Sequence, residues 1–205
     1  MTSSTVATAE LLPRGLNVSD ARRRLYEAAI VLFGAKGYHA VSVRDIAVHL
    51  GLKPMSLYAH VASKQQLLFE VVSIGFVTHR ERITEALLEA GSPPAQQIRA
   101  IARAHVLVHL EFPHLARVIN RDVAALSDEQ VEAVHRVRDD TMQTFLDVIK
   151  RGQRLGVFRA DDPRLAVTGI AAMGIRAPDW WDPSSDLSAD AIADTYADFA
   201  VRLLS

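Results

Sequence analysis

Gly51 stands between two short helical patterns, and this arrangement constrains the fold of the first part of the chain most strongly. Ser42 followed by Asp45 three residues later is the pattern of a capping box at a helix start. Gly51 lies where a left-handed backbone conformation would end that helix, and Pro54 suits the first turn of the next one. The stretch therefore predicts two short helices joined by a sharp turn.

The side chains of the second helix divide into an inward and an outward set. Leu57 and Val61 are apolar and are expected to face the core. The others carry amine, hydroxyl, imidazole and thioether groups, with no acid among them, and are expected to point outward: Lys53, Met55, Ser56, Tyr58, His60 and Lys64. Such groups suit the phosphates and base edges of DNA. The pattern predicts a helix-turn-helix whose second helix reads DNA, the alternative being an ordinary helical corner.

The rest of the chain shows helical periodicity, with no sustained alternation and no Asn-Gly or Asp-Gly hairpin turn. An all-α fold is therefore predicted. Residues 1–19, rich in Ser, Thr and Ala, predict a flexible arm. Helices are expected over residues 20–36, 67–90, 94–111 and 113–125, from 128 to a stop at Gly152 and Gly156, over 163–177 with a stop at Pro178, and after Ser188.

Charge is distributed unevenly along the chain, although the net charge is only −1. Residues 20–66 hold seven Lys/Arg against three Asp/Glu, a balance of +4, so the remaining residues carry −5. A basic head on an acidic body is typical of a DNA reader attached to another domain. The chain has no cysteine, no apolar run of membrane length and no secretory signal pattern, so we expect a cytoplasmic protein without membrane association.

The segment "VSVRDIAVHLGLKPMSLYAHVASKQQLL" and the preceding "LFGAKGYHAV" resemble the DNA-binding domain of the TetR family of bacterial transcription regulators. The resemblance covers about residues 20–68 and implies DNA contacts. By it, Tyr58, Lys64 and either Ser42 or Arg44 would contact phosphate, whereas Lys53, Met55, Ser56 and His60 would face bases or sugars. Lys53 and Met55 depart from the residues usual in the family, which bears on operator sequence.

The same resemblance implies an all-α homodimer with a three-helix helix-turn-helix domain over residues 20–66. Residues 67–205 would form a larger ligand-binding and dimerisation domain, whose last two helices build a four-helix bundle with the partner. Leu165–Ile175 and Ala191–Leu204 are the expected pair. Small residues of the first would allow close helix approach, or else belong to internal core: Ala166, Gly169, Ala171, Ala172 and Gly174.

The C-terminal "AAMGIRAPDWWDPSSDLSADAIADTYADFAVRLL" is similar to a TetR subgroup that senses acyl-CoA thioesters. Ile175 and Arg176 depart from that subgroup's polar and aromatic residues. The effector hypotheses are an acyl-CoA-like molecule, an unrelated apolar small molecule, a metal, or none. Candidate ligand-binding residues, chosen as large or charged groups on helix faces, are Phe76, Phe112, Arg117, Asn120, Arg121, Met142, Phe145, Arg176 and Trp180. Asp179 or Asp182 is the expected acidic partner of Arg176.

His105 and His109 stand four residues apart on one helix face, with His114 beyond them. That spacing suits zinc, but "HVLVH" lacks the glutamate of metalloprotease motifs. We therefore interpret them as partly buried histidines that line a pocket or an interface, with a metal site as the alternative, and expect no cofactor. The chain also lacks a nucleophile elbow, a Walker loop and a dinucleotide fingerprint. A ligand-responsive transcription regulator, which the family resemblance implies to be a repressor, is thus favoured over an enzyme or a helical dimer without a DNA target.

Overall fold

The computed structural model describes residues 10–205, which form nine α-helices and one short 3-10 turn without any β-strand. The helices are α1 (Asp20–Lys36), α2 (Val43–Leu50), α3 (Pro54–Leu57), α4 (Lys64–Glu89), α5 (Pro94–Glu111), α6 (Pro113–Asp122), α7 (Asp128–Arg154), α8 (Pro163–Trp180) and α9 (Ala189–Leu203). The prediction of an all-α fold is confirmed. None of these helices combines the length and the apolar character that crossing a membrane requires.

Side-chain caps start several helices where the sequence predicted them. The Ser19 hydroxyl accepts from the Arg22 N–H at the start of α1, and the Ser188 hydroxyl accepts from Ala191 at the start of α9. Ser127 and Gln130 form the predicted capping box of α7. These caps satisfy backbone donors that a helix start otherwise leaves free.

The described residues form two compact units. The head unit comprises Glu10–Thr78 and Phe112–Arg136, and the body unit comprises His79–Glu111 and Val137–Ser205. The head unit extends beyond residue 66, the predicted end of the DNA-binding domain, because α6 packs on α1. The Gln65 side-chain amide also donates to the Ala125 carbonyl, which ties α4 to the turn after α6.

Two helix boundaries differ from the sequence prediction. Helix α4 begins at Lys64 rather than Leu67, because Ser63 accepts from the Gln66 N–H and acts as its cap. Helix α8 does not stop before Pro178 but continues to Trp180. A proline in the last turn removes a single backbone donor. The Trp181 N–H still bonds to the Ala177 carbonyl and closes the helix end.

The predicted flexible arm covers residues 1–19, of which residues 1–9 lie outside the described residues. Residues 10–19 are not loose. Leu12 is buried, and the Arg23 guanidinium donates to the Pro13 carbonyl over 2.9 Å. An apolar anchor and a polar one therefore attach this half of the arm to the head unit.

Candidate nucleic-acid interface and effector region

The turn between α2 and α3 has the geometry that the sequence predicted. Ser42 and Asp45 form a reciprocal capping box, in which the Asp45 carboxylate accepts from the Ser42 N–H over 2.7 Å. Hydrogen bonds from the Ser42 hydroxyl, and then from its N–H, lower the pKa of Asp45. Gly51 adopts φ 69° and ψ 27°, and the Leu52 N–H donates to the Ala47 carbonyl over 2.8 Å. This left-handed glycine aims α3 away from α2.

Helix α3 ends at Leu57, and the predicted outward side chains in it and directly beside it are exposed to solvent. Leu57 and Val61 are buried, as expected for the inward set. The exposed set includes Met55, 79% exposed, and Tyr58, 51% exposed, together with Lys53, Ser56 and His60. Arg44 on α2 is exposed as well. The head unit therefore carries a polar, acid-poor surface on α3 at a fixed turn, which is what contact with DNA requires.

Lys64 differs from its sequence prediction, because it does not point outward. Its ammonium donates to the carbonyls of Tyr38, over 3.0 Å, and Val41, over 2.8 Å. It also lies 4.0 Å from the centre of the Tyr38 ring. Partial burial lowers the pKa of Lys64. The chain between α1 and α2 leaves these carbonyls without helical partners, and the lysine satisfies them. The predicted phosphate contact would require the side chain to leave them.

Replacing Lys64 with methionine should destabilise the head unit by about 1–3 kcal/mol, because two backbone carbonyls lose a charged donor. Thermal or urea denaturation of the full chain measures the effect. Lys36→Met is the matched control, since Lys36 is exposed on α1, and it should change stability by less than about 0.5 kcal/mol. Equal stability of the two variants would show that the Lys64 contacts contribute nothing.

The basic residues of α1 are partly engaged within the head unit. Arg22 pairs with Glu70 at 2.9 Å, and the Tyr26 hydroxyl donates to the same carboxylate over 3.0 Å. Burial, followed by the bond to Glu70, raises the pKa of Tyr26 to about 12. Arg23 bonds to the Pro13 carbonyl, whereas Arg24 is exposed. The first helix thus offers fewer free cations than its sequence suggests.

The candidate ligand-binding residues fall into both units. In the head unit, Phe112 is buried, Phe76 and Arg117 are half-buried, and Asn120 is exposed. Arg121 has a structural partner set: its guanidinium donates to the Phe33 carbonyl at the end of α1 and pairs with Asp122 at 2.9 Å. Holding a helix C-terminus accounts for this arginine without an effector.

In the body unit, Phe145 and Met142 line one small cavity with His105, Val167 and Ala171. The gap between these side chains is too narrow to admit a water molecule. Trp180 is half exposed, and its ring centre lies 6.4 Å from that of Tyr196. Arg176 pairs with Asp179 at 2.9 Å, one of the two acids predicted as its partner. An effector of ordinary size would have to separate the packed side chains around Phe145.

An open groove of about 470 Å³ lies elsewhere on the body unit, between α4 and α5. Alanines form part of its floor, and its charged rim consists of Arg82, Arg103, Glu85, Glu89 and Glu111. Arg82 pairs with Glu111, and Arg103 pairs with Asp194. Paired arginines beside three carboxylates make this groove a poor site for a strongly anionic ligand.

Three histidines meet in the body unit, and one of them was missed by the sequence analysis. One ring nitrogen from each of His79, His105 and His109 lies within 4.8 Å of the other two. His105 is 2% exposed, and the other two are half-buried. His79 comes from α4, and a single sequence gives no signal that pairs it with α5. His114, in contrast, lies in the head unit beside Gly34.

The tautomers of two of these histidines follow from their partners, because a carbonyl oxygen only accepts. His105 Nε2 donates to the Ala171 carbonyl over 3.0 Å, and His109 Nδ1 donates to the His105 carbonyl over 2.7 Å. His105 Nδ1 is therefore a lone-pair nitrogen, and it accepts from His79 Nε2 over 2.7 Å. Throughout this histidine trio (His79, His105 and His109), burial lowers the pKa, that of His79 to about 3.

These lowered pKa values predict that acid weakens the fold. Below pH 6.5, about the pKa of a histidine in the unfolded chain, the unfolded chain binds protons that the folded histidine trio does not bind. The free energy of unfolding therefore falls as pH falls. Each histidine that stays neutral in the folded protein contributes up to about 1.4 kcal/mol per pH unit to this loss of stability. Urea denaturation with a chelator at pH 7.5, 6.5 and 5.5 measures the slope. His109→Gln should reduce it and His135→Gln should not; identical slopes would contradict this origin.

The last two helices expose apolar side chains along one stripe each. The exposed stripe of α8 consists of Leu165, Thr168, Gly169 and Ala172, and that of α9 consists of Ala191, Thr195, Phe199 and Leu203. The helices adjoin, since a Leu203 methyl lies 3.5 Å from where a Gly169 side chain would begin. The other small residues of α8 are internal: Ala166 is buried, and Gly174 packs against the His105 ring. The small residues of α8 therefore lie partly in the core and partly on the exposed stripe.

Comparison with known proteins places the chain in a family. The family model described as "Bacterial regulatory proteins, tetR family" matches residues 25–71, and the one described as "Tetracyclin repressor-like, C-terminal domain" matches residues 91–204. The second match covers more than half of the chain. The protein belongs to the TetR family of bacterial transcription regulators, which are DNA-binding proteins and not enzymes.

Individual relatives agree with this assignment. The HTH-type transcriptional repressor KstR2 of Mycolicibacterium smegmatis is 29% identical over 85% of this chain and 86% of its own. A tetR-family regulatory protein from Rhodococcus RHA1 matches the fold with a TM-score of 0.86 at 28% identity, over 92% of this chain and 98% of that one. AibR, solved with isovaleryl coenzyme A and operator DNA, gives a TM-score of 0.79 over 87% and 96% of the two chains. At 22% identity, the likeness to AibR concerns the fold.

Proposed function

We propose that this protein is a ligand-responsive transcriptional repressor that binds a palindromic operator as a homodimer and is released by a small apolar or acyl-CoA-like effector. The observation that carries the proposal is the sharp turn at Gly51, after which an acid-free set of side chains is exposed on α3 and directly beside it. Lys53, Ser56, Tyr58 and His60 would reach bases and phosphates, with Arg44 and Ser42 near the backbone. Ser42 acts in addition as the cap that fixes α2.

Homodimer formation through α8 and α9 is supported by their exposed stripes. Phe199 is 44% exposed and Leu203 is 52% exposed, and both lie on the same side of α9 as Ala191 and Thr195. Contiguous apolar surface of this kind marks an interface. A two-fold axis would place each stripe against its own copy and give a four-helix bundle. Two heads on one palindrome also provide the selectivity that a short α3 lacks alone.

The effector class is supported by the C-terminal resemblance and by the packing around Phe145. An apolar or acyl portion would separate Met142 and Phe145 and occupy the space that they now fill. AibR, with its isovaleryl coenzyme A, is a relative in fold that combines such a ligand with an operator. The anionic portion of an acyl-CoA would have to compete for its arginines. Arg176 already pairs with Asp179, and Arg121 donates to the Phe33 carbonyl.

Release of the operator would follow from linkage. An effector that prefers the conformer with wrongly spaced heads lowers DNA affinity by the factor by which DNA lowers effector affinity. A tenfold release therefore needs a coupling free energy of about 1.4 kcal/mol between the two sites.

The experiment that tests the function is selection of bound fragments from the source genome at about 150 mM salt with excess competitor DNA. Sequencing should recover a short palindrome, and addition of acyl-CoA thioesters of increasing chain length to that complex should identify a releasing chain length. Free coenzyme A is the matched control for the apolar portion. Weak binding without sequence preference would instead support a helical small-molecule-binding dimer without a specific DNA target.

A further inference from the structure

We infer that His79, His105 and His109 form a binding site for a divalent transition-metal ion in the body unit. The three imidazoles converge from two helices, α4 and α5, and one ring nitrogen of each lies within 4.8 Å of the other two. Their ring centres are 4.7–5.5 Å apart. Imidazole is a preferred ligand of zinc, copper and nickel, and three histidines with one open position make a common zinc site.

The backbone prepares two of the three ligands. Metal-binding histidines usually donate their second ring N–H to a carbonyl or carboxylate, which fixes the ring and its tautomer. His105 donates in this way to the Ala171 carbonyl, and His109 donates to the His105 carbonyl. His105 Nδ1 and His109 Nε2 are thereby left as the nitrogens that can bind a cation.

A modest rearrangement converts the trio into a tetrahedral site. With zinc–nitrogen bonds of about 2.0–2.1 Å, two ligand nitrogens stand about 3.3 Å apart. His79 Nε2 and His105 Nδ1 are now 2.7 Å apart and share one hydrogen bond. Binding would move this proton to His79 Nδ1, part the two nitrogens and leave the fourth position to water. Partial exposure of His79 and His109 gives the ion a route to the site.

Packing holds His105 in place for this role. A Cβ atom added to Gly174 would lie 2.3 Å from His105 Cδ2. The backbone of α8 therefore packs directly against the imidazole ring at this glycine. Phe145 contacts the same ring edge-on, with 6.2 Å between centres. An ion bound here would join α4 to α5 beside the side chains proposed to move for the effector.

The test is titration of Zn²⁺ and Co²⁺ into the metal-depleted full-length protein without DNA. We expect one ion per chain and visible Co²⁺ absorption bands of tetrahedral intensity. Removing a supporting group outside the ligand set costs metal sites about 10–100-fold in affinity. His79→Gln and His109→Gln, at half-buried positions, should each lower Zn²⁺ affinity by at least about that much. His135→Gln, a histidine outside the trio, should leave it unchanged.

Gly174→Ala keeps all three ligands but displaces the His105 ring, so it should also lower the affinity for Zn²⁺. Circular dichroism confirms that each variant is folded. Failure of the wild-type protein to take up one equivalent would overturn the inference, and so would equal affinity across the wild type and both glutamine variants. Because no DNA is present, neither result depends on the proposed operator binding.

Discussion

Replacing Tyr58 with alanine is expected to weaken operator binding by at least about 100-fold while leaving the fold intact. A hydrogen bond to a charged phosphate contributes about 1.5–3 kcal/mol, and a dimer loses the contact twice. Tyr58 is 51% exposed, so we expect its truncation to cost the fold little. Fluorescence anisotropy with the selected operator measures the loss, and thermal denaturation should give an unchanged midpoint.

Two further variants separate the kinds of DNA contact. Tyr58→Phe keeps the ring and should reproduce most of the loss if the hydroxyl binds phosphate. Arg44→Ala removes an exposed cation expected at a phosphate, so it should also reduce the slope of affinity against salt by about 1 per head. Tyr58→Ala should leave that slope unchanged because tyrosine is neutral. Wild-type affinity in Tyr58→Ala would contradict the placement of α3 on DNA.

Replacing Phe199 with glutamate is expected to dissociate the dimer, raising its dissociation constant by at least about 100-fold. The isologous interface would bury two unpaired carboxylates, and each buried charge without a partner costs several kcal/mol. The side chain is exposed in the single chain, so the variant should fold normally. Sedimentation equilibrium measures the dissociation, and operator affinity should fall with it.

Leu88→Glu is the matched control for this prediction. Leu88 is 78% exposed on α4, which contributes to neither stripe, and the same substitution there should preserve the dimer. If Phe199→Glu stayed dimeric while Leu88→Glu dissociated, the proposed interface would have to move from α9 to α4.

Local signals in the sequence were sufficient for the helix-turn-helix. The Ser42–Asp45 capping box, the left-handed Gly51 and the burial of Leu57 and Val61 all appear where a few neighbouring residues predict them. Each depends on contacts within about one helical turn, and hydrogen-bonding and backbone preferences act at that range. The exposure of Lys53, Met55, Ser56, Tyr58 and His60 follows from the same spacing, although α3 itself ends at Leu57.

Contacts between distant segments could not be predicted in this way. Lys64 turns inward because its ammonium donates to carbonyls 23 and 26 residues earlier, in the segment between α1 and α2. His79 joins His105 because α4 and α5 pack side by side, which periodicity within either helix does not encode. Arg121 holds the end of α1, 88 residues away, although its helix position alone suggests an effector contact. A single sequence gives no pairing of these elements.

Footprinting of the selected operator with hydroxyl radicals tests the central claim most directly. Two copies of α3 on one palindrome predict two protected segments related by two-fold symmetry and centred about one helical turn, or a multiple of it, apart. Both should disappear together in Phe199→Glu and Tyr58→Ala. A single protected segment, or uniform weak protection that survives both substitutions, would contradict a dimeric reader that uses α3.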